Sequence, residues 1–151
     1  MPTVDTSVHI HAPLDVVYAV ARDNRSFPDF MNDVKSLTVT VDEGNRIVSD
    51  WVGVISAFNV KVRWTQEDVW DEATHTCRFK QLSGDYDLME GTWTLTAEGE
   101  WTKFDSHLNY EYSVPGLGPL VKKVVHGLVI KNMDDVLHAI KKRAEVTHSG
   151  I

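Results

Sequence analysis

Pro115-Gly116-Leu117-Gly118-Pro119 runs directly into Leu120-Val121-Lys122-Lys123-Val124-Val125-His126-Gly127-Leu128-Val129, and this junction decides the fold. The two prolines and two glycines make a loop. The segment after it has a helical period: Leu120, Val121, Val124, Val125, Leu128, Val129, Val136, Leu137 and Ile140 recur at 3.6-like spacing and form one apolar stripe. Lys141, Lys142 and Arg143 fall in the last turns, where cations complement the helix dipole. The spacing predicts one helix after Pro119, to about Val146, roughly 40 Å long at about 1.5 Å per residue. A helix of that length with a single apolar stripe must lie across most of whatever it packs against.

The residues before it predict a sheet. Thr6–His11 alternates, with Val8 and Ile10 on one face and Ser7, His9 and His11 on the other. Pro13 then opens a short helix carrying Leu14, Val17, Tyr18 and Ala21, and Ser26–Met31 suits a second, very short one. From Val34 to Val114 the period is two. Strands are expected at Ser36–Val41, Arg46–Ile55, Val60–Trp70, Thr76–Leu82, Gly91–Ala97 and Lys103–Ser113. The breaks between them are short and carry turn chemistry, as in Asp42-Glu43-Gly44-Asn45 and Ser83-Gly84-Asp85. Short breaks join antiparallel neighbours. The expected architecture is one α+β domain over residues 1–151: a curved antiparallel sheet of about seven strands around a long C-terminal helix, with two short helices after the first strand.

A strongly curved sheet cannot be filled everywhere by one straight helix, so a pocket is expected between them, apolar with a few placed polar groups. The alternation gives the inner face. Phe58, Val60, Val62, Trp64 and Gln66 share one side of their strand, while Asn59, Lys61, Arg63, Thr65 and Glu67 share the wet side. In the same phase Trp51 joins Ile47, Ser49 and Gly53; Phe79 joins Cys77 and Gln81; Trp93 joins Gly91 and Leu95. Phe104, Leu108, Tyr110 and Tyr112 line the last strand. The expected ligand cage is Trp51, Trp64, Phe79, Trp93, Tyr110 and Tyr112, with Val125 and Leu128 from the helix and Gln66 and Asn132 as polar orienters.

Composition narrows the function. A net charge of −7 disfavours nucleic acid, whose phosphates need Lys and Arg. The single cysteine, Cys77, allows no intrachain disulfide and no cysteine metal cluster. The N-terminal residues carry no basic region or apolar run, and no stretch approaches the roughly 20 apolar residues of a membrane span. The chain is therefore expected to be cytoplasmic, without integral membrane association; a homodimer is compatible with this reading. His9-x-His11 is the one metal-like spacing, but it lies on the face opposite Val8 and Ile10 with no third ligand nearby. Asp134 and His138, four apart, read as a surface helix pair. No cofactor, no metal and no catalytic residue is assigned. Gly116 and Gly118 could serve either as hinges of a lid or as a plain loop.

Several motifs resemble one superfamily. Ile10-x-Ala12-Pro13-x-x-x-Val17, followed by Asp23 and Phe27-Pro28-x-Phe30-Met31, resembles the opening of START-like (SRPBCC, Bet v 1-like) proteins of the polyketide cyclase/dehydrase and coenzyme Q-binding branch. Gly84 with Gly91-Thr92-Trp93-Thr94-Leu95 is similar to that branch's G-x-W strand, and Lys131-Asn132 through Ala139–Glu145 to its final helix. The resemblance implies the helix-grip fold and a hydrophobic cavity, but no single activity. Aromatase/cyclase relatives carry an inward arginine a few residues after the tryptophan at position 64; here that position is Asp68. The expected function is binding or transport of a lipid, quinone or polyketide-like molecule. The alternatives are an aromatase/cyclase or dehydratase working in the same cavity, with a tyrosine phenol (Tyr18, Tyr110 or Tyr112) as weak acid, and a ribosome-associated type of interaction module.

Overall fold

The computed structural model describes residues 3–31, 34–55, 60–112 and 119–148. Strand β1 (Thr3–Ile10) leads into helix α1 (Leu14–Arg22), a single 3-10 turn (Asn24–Ser26) and helix α2 (Phe27–Phe30). Six strands come next: β2 (Val34–Asp42), β3 (Arg46–Ile55), β4 (Val60–Asp71), β5 (Thr76–Gly84), β6 (Leu88–Glu98) and β7 (Trp101–Glu111). Helix α3 (Pro119–His148) closes the chain. The strands form one antiparallel sheet in the order β1-β7-β6-β5-β4-β3-β2, so only β1 leaves the meander, pairing with β7 at the far edge. This is the helix-grip fold that the sequence predicts.

The strand boundaries differ from expectation mainly at β1 and β6, which begin three residues earlier. In both places β7 runs alongside and supplies partners, Asn109 for Thr3 and Glu111 for Leu88. The loop holding Gly116 and Gly118 lies outside the described residues, as do Phe58 and Asn59 and the side chains of Val60, Leu120, Val121 and Lys122. No helix among the described residues is long and apolar enough to cross a membrane.

The sheet is bent by irregularities in its ladders. Register shifts lie between Val34 and Ser36 and between Val39 and Val41 on β2, and between Thr65 and Gln66 on β4. An extra residue on one strand increases local twist and turns the strand over the core. At the β4–β5 shift, Gly84 pairs with Trp64 at a φ of 147°, and a Cβ there would lie 2.5 Å from the Trp64 Cα. Only glycine lets β5 pass that close to the tryptophan.

The core falls into two clusters. One gathers Ile10, Val17, Phe27 and Phe104 around Leu137, Ile140 and Ala144 in the second half of α3. The other gathers Val4, Phe79, Met89, Leu108 and Tyr110 around Val125 and Val129 in its first half. Hydrogen bonds lock the first end: Thr102 Oγ1 donates to the Ala12 carbonyl at 2.8 Å, and the Glu145 carboxylate accepts the His11 N–H at 2.8 Å.

Gly91 is the tightest point in the sheet. A Cβ on it would meet the His107 carbonyl oxygen at 2.1 Å and the Phe79 ring at 2.7 Å. Gly91→Ala is expected to destabilise the fold by at least about 1–3 kcal/mol, the usual cost of overpacking, as read by urea denaturation. Unchanged stability would show that β6 and β7 are not held this close.

Candidate functional site

Between the two clusters the middle of α3 presents Asn132, Met133 and Val136 to a cavity, Val136 also packing against the first cluster and Met133 against the second. The opposite wall comes from the inner faces of β3 to β6, and the region after α1 supplies Asn24, Phe27 and Met31. The cavity is partly enclosed and measures about 120 Å³. For scale, an apolar cavity of about 150 Å³ admits benzene.

Aromatic rings build most of the wall. Trp51 and Trp64, paired across β3 and β4, stack with centroids 5.5 Å apart and planes 14° from parallel. Phe27 packs edge-on against Trp51 at 5.9 Å, and Tyr86 against Trp64 at 5.6 Å. Trp93 stands between Phe79 and Phe104, at 6.0 and 5.1 Å. Its indole N–H is buried with no partner among the described residues. A donor left this way carries an energetic penalty that an acceptor in the cavity would relieve.

A line of polar groups crosses this apolar wall along β4. The Trp64 indole N–H donates to Gln66 Oε1 at 2.9 Å, and Gln66 Nε2 donates to Asp68 Oδ1 at 2.7 Å. Asn24 Nδ2 reaches Asp68 Oδ2 at 3.5 Å. An indole N–H can only donate, so it fixes the Gln66 amide with its nitrogen towards Asp68. Asp68 lines the cavity at 6% exposure, and among the described residues no cation pairs with it. Burial raises its carboxyl to about 6; the amides of Gln66 and Asn24 pull it down, and the charge of Glu67 adds to the rise. Glu67, one residue away and on the outer face, is satisfied by Arg46 at 2.7 Å and Lys80 at 3.8 Å.

Of the residues expected from the sequence, Trp51, Trp64, Gln66, Phe79, Trp93 and Asn132 share the lining of this cavity. Tyr110, Tyr112, Val125 and Leu128 lie away from the lining. Tyr110 and Val125 belong to the second core cluster, where α3 and the sheet meet directly. The Tyr110 hydroxyl bonds His126 Nδ1 at 2.7 Å, and burial raises this phenol to about 12. Tyr112 packs on Tyr86 at 5.5 Å, and Leu128 is half-exposed, one step round the helix from Val129. Tyr18 likewise stands outside the lining, its buried hydroxyl without a partner among the described residues.

Several lining residues, Asp68, Asn24 and Tyr86 among them, are not expected at the site from the sequence. Tyr86 sits in the turn after β5 between two aspartates, and Gln81 clamps its backbone at both N–H and C=O, at 3.1 and 2.8 Å. An aromatic flanked by acids in a tight turn is the signal that could have found it. Val136 belongs to the α3 stripe and Met133 does not; the period marks the buried face but not where a cavity opens along it. The Cys77 thiol also lines the cavity; burial and the nearby Asp68 raise its pKa, which keeps it protonated and unreactive.

His9 and His11 point outward, His9 onto Glu98 at 2.9 Å and His11 stacked on Trp101 at 4.3 Å. Asp134 and His138 face each other at 3.4 Å on the surface of α3. Among the described residues no three metal-binding side chains come together.

A family model described as polyketide cyclase/dehydrase and lipid transport matches residues 10–140. The chain belongs to that family. Among solved structures, it is similar to TTHA0849 from Thermus thermophilus, at 36% identity and a TM-score of 0.91, over 97% of this chain and 99% of that one. The Zhui aromatase/cyclase from Streptomyces sp. R1128 shares the fold at 20% identity and a TM-score of 0.86, over 95% and 93% of the two chains. A START superfamily protein from Mycobacterium smegmatis does so at 16% identity and a TM-score of 0.78, over 96% and 98%. No curated protein matches the chain. In a polyketide cyclase/dehydrase family fold, the cavity under α3 is the feature that a hydrophobic ligand can use.

Asp68 sets a stability signature. Its folded carboxyl titrates near 6 and its unfolded one near 3.8, so the folded state holds the extra proton between those values. Stability therefore falls as pH rises from about 4 through 6 and stays lower above that. Asp68→Asn keeps an acceptor for Gln66 and lacks the charge. It is expected to be more stable than the native chain at pH 7.5 by up to about 3 kcal/mol, since each pH step between the two values is worth about 1.36 kcal/mol. The gap should close towards pH 4. Denaturation series from pH 4 to 8 would show this; a gap that is absent or independent of pH would place the carboxylate in water.

Proposed function

We propose that this chain binds or carries a compact hydrophobic small molecule in the cavity beneath α3. The observation that carries the reading is the gap itself: an apolar, aromatic-walled space between two packed core clusters, with a single polar line along one wall. Interiors normally pack to crystal-like density, and an unfilled space of this size lowers stability. A bound molecule restores those contacts. Trp51, Trp64, Phe79 and Trp93 would enclose its body, and Gln66 and Asn132 would orient its polar end, with Asp68 beside them. The buried free thiol of Cys77 fits a reducing compartment such as the cytoplasm. Quinones, isoprenoids and single-ring polyketide fragments are ligands of suitable character.

One observation favours a second reading. A carboxyl held near 6 inside a cavity is poised to exchange a proton at neutral pH, as general acid–base chemistry requires. In that reading Asp68 serves a cyclase or dehydratase reaction on a polyketide-like substrate. The two readings part on the fate of the ligand, which a carrier releases unchanged.

Native mass spectrometry of freshly purified protein is expected to show a co-purifying small molecule. Thermal unfolding with quinones and isoprenoid alcohols is expected to rise with a matching ligand: at one hundred times Kd the gain is about 2.7 kcal/mol, or several degrees for a domain of this size. Met133→Trp, which fills the gap from α3, should abolish both signals while leaving a cooperative transition. If Met133→Trp binds as the native chain does, the ligand sits elsewhere.

A further inference from the structure

We propose that the cavity selects an organic ammonium on a ring-sized apolar body, and that Asp68 is the group that receives it. The inference rests on the ligand-binding reading above and names the chemistry of the ligand's polar end.

Asp68 has acceptor capacity to spare. Trp64 fixes the Gln66 amide, and Gln66 occupies one oxygen of Asp68 at 2.7 Å. Among the described residues the other oxygen meets only Asn24 Nδ2, at 3.5 Å, the outer limit of a hydrogen bond. A carboxylate offers about four acceptor positions. Asp68 therefore turns unfilled acceptor capacity towards the space it lines.

Charge narrows the choice. Glu67, the adjacent carboxylate on the outer face of β4, is paired, since Arg46 and Lys80 both reach it. Asp68, facing inward, has no cation in contact among the described residues. Arg22, on α1, is committed elsewhere: its guanidinium lies 5.7 Å from the Trp70 ring and 5.9 Å from the Tyr18 ring, and it donates to the Gly44 carbonyl. Buried charges in proteins are paired, and here the missing partner is a cation. The desolvation of Asp68 is already met in the folded chain, so an arriving ammonium meets only its own. The π faces of the surrounding rings attract a cation as well as an apolar body. A carboxylate-headed molecule would instead set two negative charges side by side in a low-dielectric space. The volume of about 120 Å³ limits the enclosed part of the body to about one ring.

A matched series tests this: 2-phenylethylamine, ethylbenzene and 3-phenylpropanoate share a one-ring body and differ at the polar end. Titration calorimetry at pH 7.5 is expected to rank the amine first by about tenfold or more over ethylbenzene, as a hydrogen bond to a charged group allows, with the carboxylate last. Asp68→Asn, checked for folding by thermal unfolding, should shrink the ratio of amine to ethylbenzene affinity to within about threefold. If ethylbenzene binds and the amine binds no better, or if the variant keeps the full preference, the inference is overturned while the cavity reading stands. If none of the three binds, the inference is overturned, and the cavity reading is judged by the quinone and isoprenoid series and by Met133→Trp.

Discussion

A single rigid helix must satisfy two cores at once. The second half of α3 packs Leu137, Ile140 and Ala144 into the cluster around α1 and Phe104, and its first half packs Val125 and Val129 into the cluster around Tyr110. An α-helix is a stiff rod, whereas the sheet bends at the bulges of β2 and β5. A rod anchored at both ends of a curved surface stands away from that surface in between. The stretch Asn132–Val136 spans this gap, so the cavity arises from the same packing that holds the fold together.

Strand alternation then decides what the gap contains. Successive side chains on β4 point to opposite faces, which puts Glu67 outside among Arg46 and Lys80 and Asp68 inside among indoles. Valine or leucine at position 68 would suit the core better than a carboxylate without a cation. Folding stability alone does not explain an aspartate there, and residues that lower stability cluster where a site requires them. The network supports this view, because Trp64, Gln66 and Asn24 hold the carboxylate in one orientation without neutralising it.

Much of this was legible from the chain. The period of two on β3 to β7 placed Trp51, Trp64, Phe79 and Trp93 on the inner face, and the apolar stripe after Pro119 placed the helix over them. Periodicity reports which way a side chain faces, but not how far the opposing layer stands from it. Tyr110 and Val125 face inward as expected, yet sit where α3 touches the sheet, so they fill core instead of lining space. Tyr86 was hidden for the opposite reason: it belongs to a turn, where no period applies, and Gln81 holds it in place from the neighbouring strand. Asp68 was visible only as a departure from the arginine of similar chains. Its sign of charge is plain in the sequence, while its isolation from cations required coordinates.

The size of the gap bears on the ligand proposed for it. The enclosed space of about 120 Å³ accepts about one ring, so seating a second ring wholly inside would require the Trp51–Trp64 stack or α3 to move. Moving α3 means breaking one of its two cores, and each contains fully or nearly fully buried aliphatic side chains whose exposure costs roughly 1.5–3 kcal/mol apiece. Rotating the stacked tryptophans breaks the Trp64–Gln66 bond and with it the orientation of Asp68. A large substrate would thus disturb the same polar line that it needs for recognition or proton transfer. A small one leaves it intact, and on that ground the geometry favours a compact ligand held against Asp68 over an extended chain threaded through the cavity.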